Sequence, residues 1–338
     1  MKKAHARWIS GLGVARGTLL ALLGAAIFTT LLPILARPAA GDEEGLSLSQ
    51  GPRVKILDTT DLPEGKFYVN DHSLLRLEGG RWILTGIFHR DGKYESRDER
   101  EFVLATAESS EPSQWYSAES PAFSIAPERL ALRAADDEPW IWAPHLARDD
   151  DGSLVMIYHA GVVGPDRAAF HLARSRDGIT WTREGETLFE DICVARDPML
   201  FRLGPSWMVY YTRCADKASP ASGVAYRLSV DLHHWTEPVM ALTLSTTRFD
   251  SGHTESPFVF QRHGWFYLTV TSYPVAGDAT FVYRSRSPFS FPPEPVARLS
   301  AHAAEWVAEG GDFENGRLFF THVGPGQGGV WLSELFGL

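Results

Sequence analysis

The stretch Ala195-Arg196-Asp197-Pro198-Met199-Leu200-Phe201-Arg202-Leu203-Gly204-Pro205-Ser206-Trp207-Met208-Val209-Tyr210-Tyr211 decides the fold. It reads as a strand, a tight turn at Gly204-Pro205-Ser206 and a second strand rich in aromatic and β-branched residues. A carboxylate, Asp197, stands where the apolar run begins. The design recurs at Glu255-Ser256-Pro257-Phe258 with its turn at Arg262-His263-Gly264, and at Asp71-His72-Ser73-Leu74 with its turn at Glu78-Gly79-Gly80. Asp197 precedes Trp207 by ten positions, Glu255 precedes Trp265 by ten, and Asp71 precedes Trp82 by eleven. Three acids thus take nearly the same place in three copies of one hairpin.

A second repeated element follows each hairpin. Ser175-Arg176-Asp177-Gly178-Ile179-Thr180-Trp181 returns 54 positions later as Ser229-Val230-Asp231-Leu232-His233-His234-Trp235. A weaker copy ends at Phe291, 56 positions on, and a degenerate one ends at Trp115. Four strands per unit at a period near 50 residues is the signature of a β-propeller. Five units are expected, beginning near Phe67, Trp140, Cys193, His253 and His302. The fold class is therefore all-β, a five-bladed β-propeller. The four-strand period disfavours a β-sandwich or a right-handed β-helix.

Working outward, residues 1–40 carry five basic and no acidic residues, and positions 17–36 are uncharged. Twenty such residues exceed a usual signal-peptide core and just reach a membrane span. A cleaved signal and an uncleaved membrane anchor both place the body outside the cytoplasm. Residues 41–65 read as a linker and 66–338 as the propeller. Without the first 40 residues the chain holds 27 basic against 42 acidic residues. That balance argues against phosphate-driven binding of nucleic acid. Pairing Leu203 with Trp207 puts Arg196 opposite Cys214, which leaves two readings for Cys193 and Cys214: a disulfide, or two small buried apolar side chains.

In a propeller the innermost strands line a central channel, so equivalent positions of different blades converge on one pocket. Those stretches are Asn70-Asp71-His72, Trp142-Ala143-Pro144-His145, Arg196-Asp197-Pro198, Thr254-Glu255-Ser256-Pro257 and His302-Ala303-Ala304-Glu305. Acids beside aromatic walls suit glycosidic cleavage. One carboxyl protonates the leaving oxygen and another activates water or attacks carbon.

Asn-Asp in blade one, Trp-Ala-Pro in blade two, Arg-Asp-Pro in blade three and Glu-Ser-Pro in blade four resemble five-bladed-propeller glycoside hydrolases of families 43 and 32. The resemblance covers about Phe67 to Leu338. It implies that Asp71 is the base or nucleophile, Asp197 the orienting carboxylate and Glu255 the proton donor. His72-Ser73 and His145 depart from those families' patterns. The chain ends with blade five, which brings its architecture nearer family 43. The expected sugar-binding residues are Asn70, His72, Trp142, His145, Arg196, His253 and Glu305. The resemblance also implies that His302 helps bind a structural calcium or sodium ion in the channel, although a satisfied polar residue is the plainer reading; no cofactor is required. The expected partner is a carbohydrate. A sugar-binding propeller without turnover stands as the alternative, and it would have no use for a proton donor.

Overall fold

The computed structural model describes residues 46–61, 68–89, 101–107, 110–161, 167–192, 195–213, 222–244, 253–273, 279–324 and 328–338. It is a five-bladed β-propeller. Blade one comprises β3 (Tyr68–Arg76), β4 (Trp82–His89), β5 (Glu101–Ala107) and β6 (Ser124–Arg133), each antiparallel to the next. Blade two comprises β7 (Ile141–Arg148), β8 (Leu154–Gly161) and β9 (Arg167–Ser175), with β10 (Thr182–Arg183) and β11 (Phe189–Ile192) both on the outer edge of β9. Blade three is β12 (Arg196–Leu203), β13 (Ser206–Arg213), β14 (Ser222–Ser229) and β15 (Val239–Leu244). Blade four is β16 (His253–Arg262), β17 (Trp265–Tyr273), β18 (Thr280–Ser285) and β19 (Ala297–Leu299).

Blade five shows what the sequence reading missed. Its strands β20 (Trp306–Ala308), β21 (Leu318–Val323) and β22 (Gly329–Phe336) are completed by β1 (Ser49–Gln50) and β2 (Val54–Asp58), both antiparallel to β22. Residues 49–58 are therefore part of the propeller and not a linker. Ile56 and Leu57 are buried there. Without β1 and β2, β22 would be an unpaired edge. The N-terminal segment of residues 1–40 lies outside the described residues.

Each sheet is covered on both faces by its neighbours, so the inner strands are near-continuous apolar runs instead of alternating ones. All eight residues of β8 are buried. One core cluster joins blades five and one through Ile56, Val69, Phe319 and Val330. Others join blades one and two through Ile83, Phe102 and Tyr158, and blades two and three through Phe170, Val209 and Tyr211. Burying each such side chain contributes roughly 1.5–3 kcal/mol.

The Ser-x-Asp element is a turn that locks itself. Asp177 Oδ1 accepts the amides of Ile179 and Thr180, and Trp181 Nε1 donates to the Gly178 carbonyl. Asp231 and Trp235 repeat the pattern with His233, His234 and Leu232. The degenerate copy does not form this turn. Its Trp115 lies in a short helix, α1 (Pro112–Ser117), closed by a capping box from Glu111 and Gln114. Trp115 packs edge-on against Trp82 and Phe123.

Candidate active site

The site is built by one backbone device repeated in every blade. Near its start, each inner strand carries a bulge in which two residues oppose one on the next strand. The bulge falls between Val69 and His72, between Trp142 and His145, between Arg196 and Met199, and between Glu255 and Phe258. In blade five the amides of Thr321 and Val323 bond to the carbonyls of Glu305 and His302, which leaves Ala303 and Ala304 as the bulged pair. Ala143, Asp197, Ser256 and Ala303 hold the first bulge position in left-handed backbone, with φ of 47°, 57°, 48° and 50°. That conformation costs a non-glycine residue on the order of 1–3 kcal/mol. Four copies of it at one end of one channel indicate a constraint tied to the site.

The bulge register corrects the equal spacing seen in the sequence. Leu203 pairs with Ser206 in blade three, whereas Arg262 pairs with Trp265 in blade four. The two tryptophans therefore differ by one pairing position. Counted from the bulge, Glu255 is the residue before it, Asp197 its first residue and Asp71 its second. The acids converge from three successive positions on three blades. The same register sets Arg196 opposite Thr212 and not Cys214. Cys193 and Cys214 lie outside the described residues.

Two residues join the acids. Ser256 Oγ donates to Asp71 Oδ1 at 2.6 Å, and the Ser256 amide donates to Asp197 Oδ2 at 3.0 Å. Arg196 donates through Nη2 to Glu255 Oε1 at 3.1 Å and sets Nε 3.5 Å from Asp197 Oδ2. Asp197 is 6 % exposed. Desolvation, with the nearby Asp71 charge, pushes its carboxyl well above the ordinary 3.8, against the pull of Arg196. Glu305 is likewise raised well above 4.5, first by desolvation and then by Asp71.

The residues before the bulges form a second ring: Val69, Trp142, Arg196, Glu255 and His302. His302 Nε2 lies 3.9 Å from Glu255 Oε2, next around the ring from Arg196. Trp142 stacks on Trp140 with ring centroids 4.1 Å apart, and both rings meet the fully buried His159. Trp140 packs against Gly161, where a Cβ would come within 2.2 Å of the indole.

The other expected residues take several places. Asn70 is the first bulge residue of blade one. His72 is buried beneath it, with Nε2 2.7 Å from Thr321 Oγ1 and its imidazole pushed down to about 4 by desolvation. His145 is buried at the equivalent position of blade two, first after the bulge, and its Nδ1 accepts the Leu200 amide at 3.2 Å. It lines the cavity at the opposite end of the channel with Met199 and Phe258, a placement suited to packing. His253 opens β16, and its side chain lies outside the described residues. Glu305 faces Asp71 across a cavity of about 20 Å³, which is lined by residues of all five blades, among them Asp197, Ser256 and His72. That volume admits about one water molecule. His302 has Glu255 beside it, and the described residues contain no group of three or more His, Cys, Asp or Glu arranged to hold a metal ion. Asp71, Asp197 and Glu255 are engaged by Ser256 and Arg196.

Sequence reasoning missed Ser256 and His159. Ser256 was visible only as the neighbour of Glu255. His159 sits within the apolar run of β8 and gave no signal.

Solved structures share this architecture. A thermostable family-43 glycoside hydrolase superposes with a TM-score of 0.59 at 17% identity, over 80% of this chain and 89% of that one. The α-L-arabinofuranosidase Arb93A of Fusarium graminearum gives 0.56 at 12%, over 86% and 98%. A family-32 β-fructofuranosidase of Bombyx mori gives 0.57 at 15%, over 95% and 67%. The fold is that of the propeller glycoside hydrolases. At these identities the likeness establishes fold alone. No family profile matches the sequence, and no curated protein matches it.

Proposed function

We propose that the protein is an O-glycosyl hydrolase that cleaves a furanoside with Glu255 as general acid and Asp71 as general base. One observation carries this reading: three carboxyl groups from blades one, three and four meet at one channel mouth, joined by Ser256 and Arg196. A sugar-binding surface has no need of three acids linked through shared partners. Burying Asp197 and holding four left-handed residues both cost stability, as expected where geometry serves chemistry.

Glu255 delivers its proton to the leaving oxygen while Asp71 takes one from the attacking water. Asp197, raised by desolvation, fixes the Ser256 amide and stands behind Arg196. Trp142 supplies an aromatic face for the sugar ring. The furanoside class is supported by the similar structures, among them an α-L-arabinofuranosidase and β-fructofuranosidases. Inversion is proposed because the chain resembles family 43 in architecture. It requires carboxyls roughly 6.5–9.5 Å apart, against about 5–5.5 Å for retention.

The uncharged residues 17–36 support export of the body across a membrane, by a cleaved signal or an anchor. Among the described residues no helix is long and apolar enough to cross a membrane.

The test is incubation of the purified protein with aryl α-L-arabinofuranosides, aryl β-fructofuranosides, arabinan and fructans. Sugar release that disappears in Asp71→Asn supports hydrolysis, and proton NMR of the first-formed anomer reads the stereochemistry. Saturable sugar binding with no release from any substrate would favour the binding propeller.

A further inference from the structure

Ser256 is the only one of the left-handed bulge residues whose hydroxyl side chain reaches a carboxylate of another blade. Ala143 and Ala303 have no polar side chain there, and Asp197 is itself one of the acids. Ser256 is nine-tenths buried, and its two bonds point to different blades: Oγ to Asp71 of blade one, amide to Asp197 of blade three. We propose that Ser256 is a positioning residue of the site, whose hydroxyl holds Asp71 aimed and ionised as the base while its amide fixes Asp197 independently. This rests on the hydrolase reading for the role of Asp71, and extends it to a residue that no acid/base scheme requires.

The chemistry follows from the donor. A hydroxyl hydrogen bonds best to the charged carboxylate, so the contact favours the ionised form and orients one oxygen. The opposing influences on Asp71 lie around it. Asp197 and Arg196 face it from β12, Glu255 flanks Ser256 on β16, Glu305 and His302 stand at the head of β20, and His72 is next on its own strand. Among them Arg196 alone carries a fixed positive charge. The Ser256 hydroxyl therefore supplies local compensation that the carboxyls around Asp71 take away. Alanine and glycine at 256 remove the hydroxyl and keep the amide, which separates the two bonds.

The experiment is a carbon-13 carboxyl NMR titration of Asp71, assigned by its disappearance in Asp71→Asn, on the wild-type protein, Ser256→Ala and Ser256→Gly. The midpoint of Asp71 is expected to rise by about half a pH unit or more, equally in both variants. Their melting temperatures should differ, because glycine accepts the left-handed backbone more easily than alanine. On a confirmed substrate, the acid limb of kcat/KM should move with the midpoint. An Asp71 midpoint unchanged in both variants overturns the proposal, even where hydrolysis is found. A shifted midpoint in a protein that hydrolyses no glycoside supports the hold of Ser256 on Asp71 and removes the hydrolase reading instead.

Discussion

Arg196 Nη2 stands 3.1 Å from Glu255 Oε1, so a guanidinium of blade three donates a hydrogen bond to an acid of blade four. Its Nε lies 3.5 Å from Asp197. The Arg196 side chain is 14% exposed, and removing it leaves two carboxyls without their cation. Arg196→Met is therefore expected to destabilise the fold by about 3–5 kcal/mol, as when one member of a buried pair is lost. Adding Glu255→Gln should restore part of it. Urea denaturation of the single and double variants measures both; a loss below about 1 kcal/mol would show that the bridge contributes little.

The pH dependence of stability has two opposed sources. Desolvation lowers His72 to about 4, and His145, His159 and His322 to about 3. Below about 6.5 the unfolded chain takes up protons that these rings refuse, so stability falls as pH drops from 6.5 toward 3–4. Each ring contributes a slope of about 1.4 kcal/mol per pH unit within that window. Asp197 and Glu305 act the other way. Their folded forms keep protons above the ordinary 3.8 and 4.5, so their contribution is lost as pH rises through the raised values. His159→Leu should flatten the acid limb by one proton's slope, and Asp197→Asn should gain on the wild type as pH rises. Denaturation midpoints between pH 4 and 8 test both signs.

The closing strand should matter as much as any core strand. Leu57 is 1% exposed in β2. Leu57→Ala is expected to cost about 2–5 kcal/mol. Deleting residues 49–58 should leave the β22 edge open and drive association. Thermal melts and size-exclusion chromatography check the pair; a monomeric deletion variant with wild-type melting would show that the segment is dispensable.

The five-fold rhythm, the hairpins and the three acids were legible because periodicity and turn chemistry are written locally. The convergence was legible too, since a propeller brings equivalent strand starts together. The offset of the acids was not. A bulge depends on pairing register between strands, and counting from tryptophan to acid cannot see that Arg202 pairs with Trp207 while Arg262 pairs with Trp265. Strands β1 and β2 were hidden for a similar reason. Val54–Asp58 is short, and its partner β22 lies at the far end of the chain. That His145 Nδ1 accepts the Leu200 amide was not legible either, because that bond depends on how blades two and three pack.

The aromatic platform depends on a glycine. Gly161→Ala would drive a methyl group into the Trp140 indole and displace the Trp140–Trp142 stack. On a confirmed substrate, KM is expected to rise several-fold with kcat changed much less, since stacking contributes mainly to binding. Tryptophan fluorescence should shift in the same variant. An unchanged KM would remove Trp142 from the sugar site.

The leaving-group dependence of Glu255→Gln tests the assignment of acid and base most directly. With a poor leaving group, the loss of the proton donor should lower kcat/KM by about 10²–10⁴. A dinitrophenyl glycoside needs little protonation and should lose far less, whereas Asp71→Asn should damage both substrates alike. Near wild-type turnover of both substrates by both variants would contradict the carboxylate mechanism.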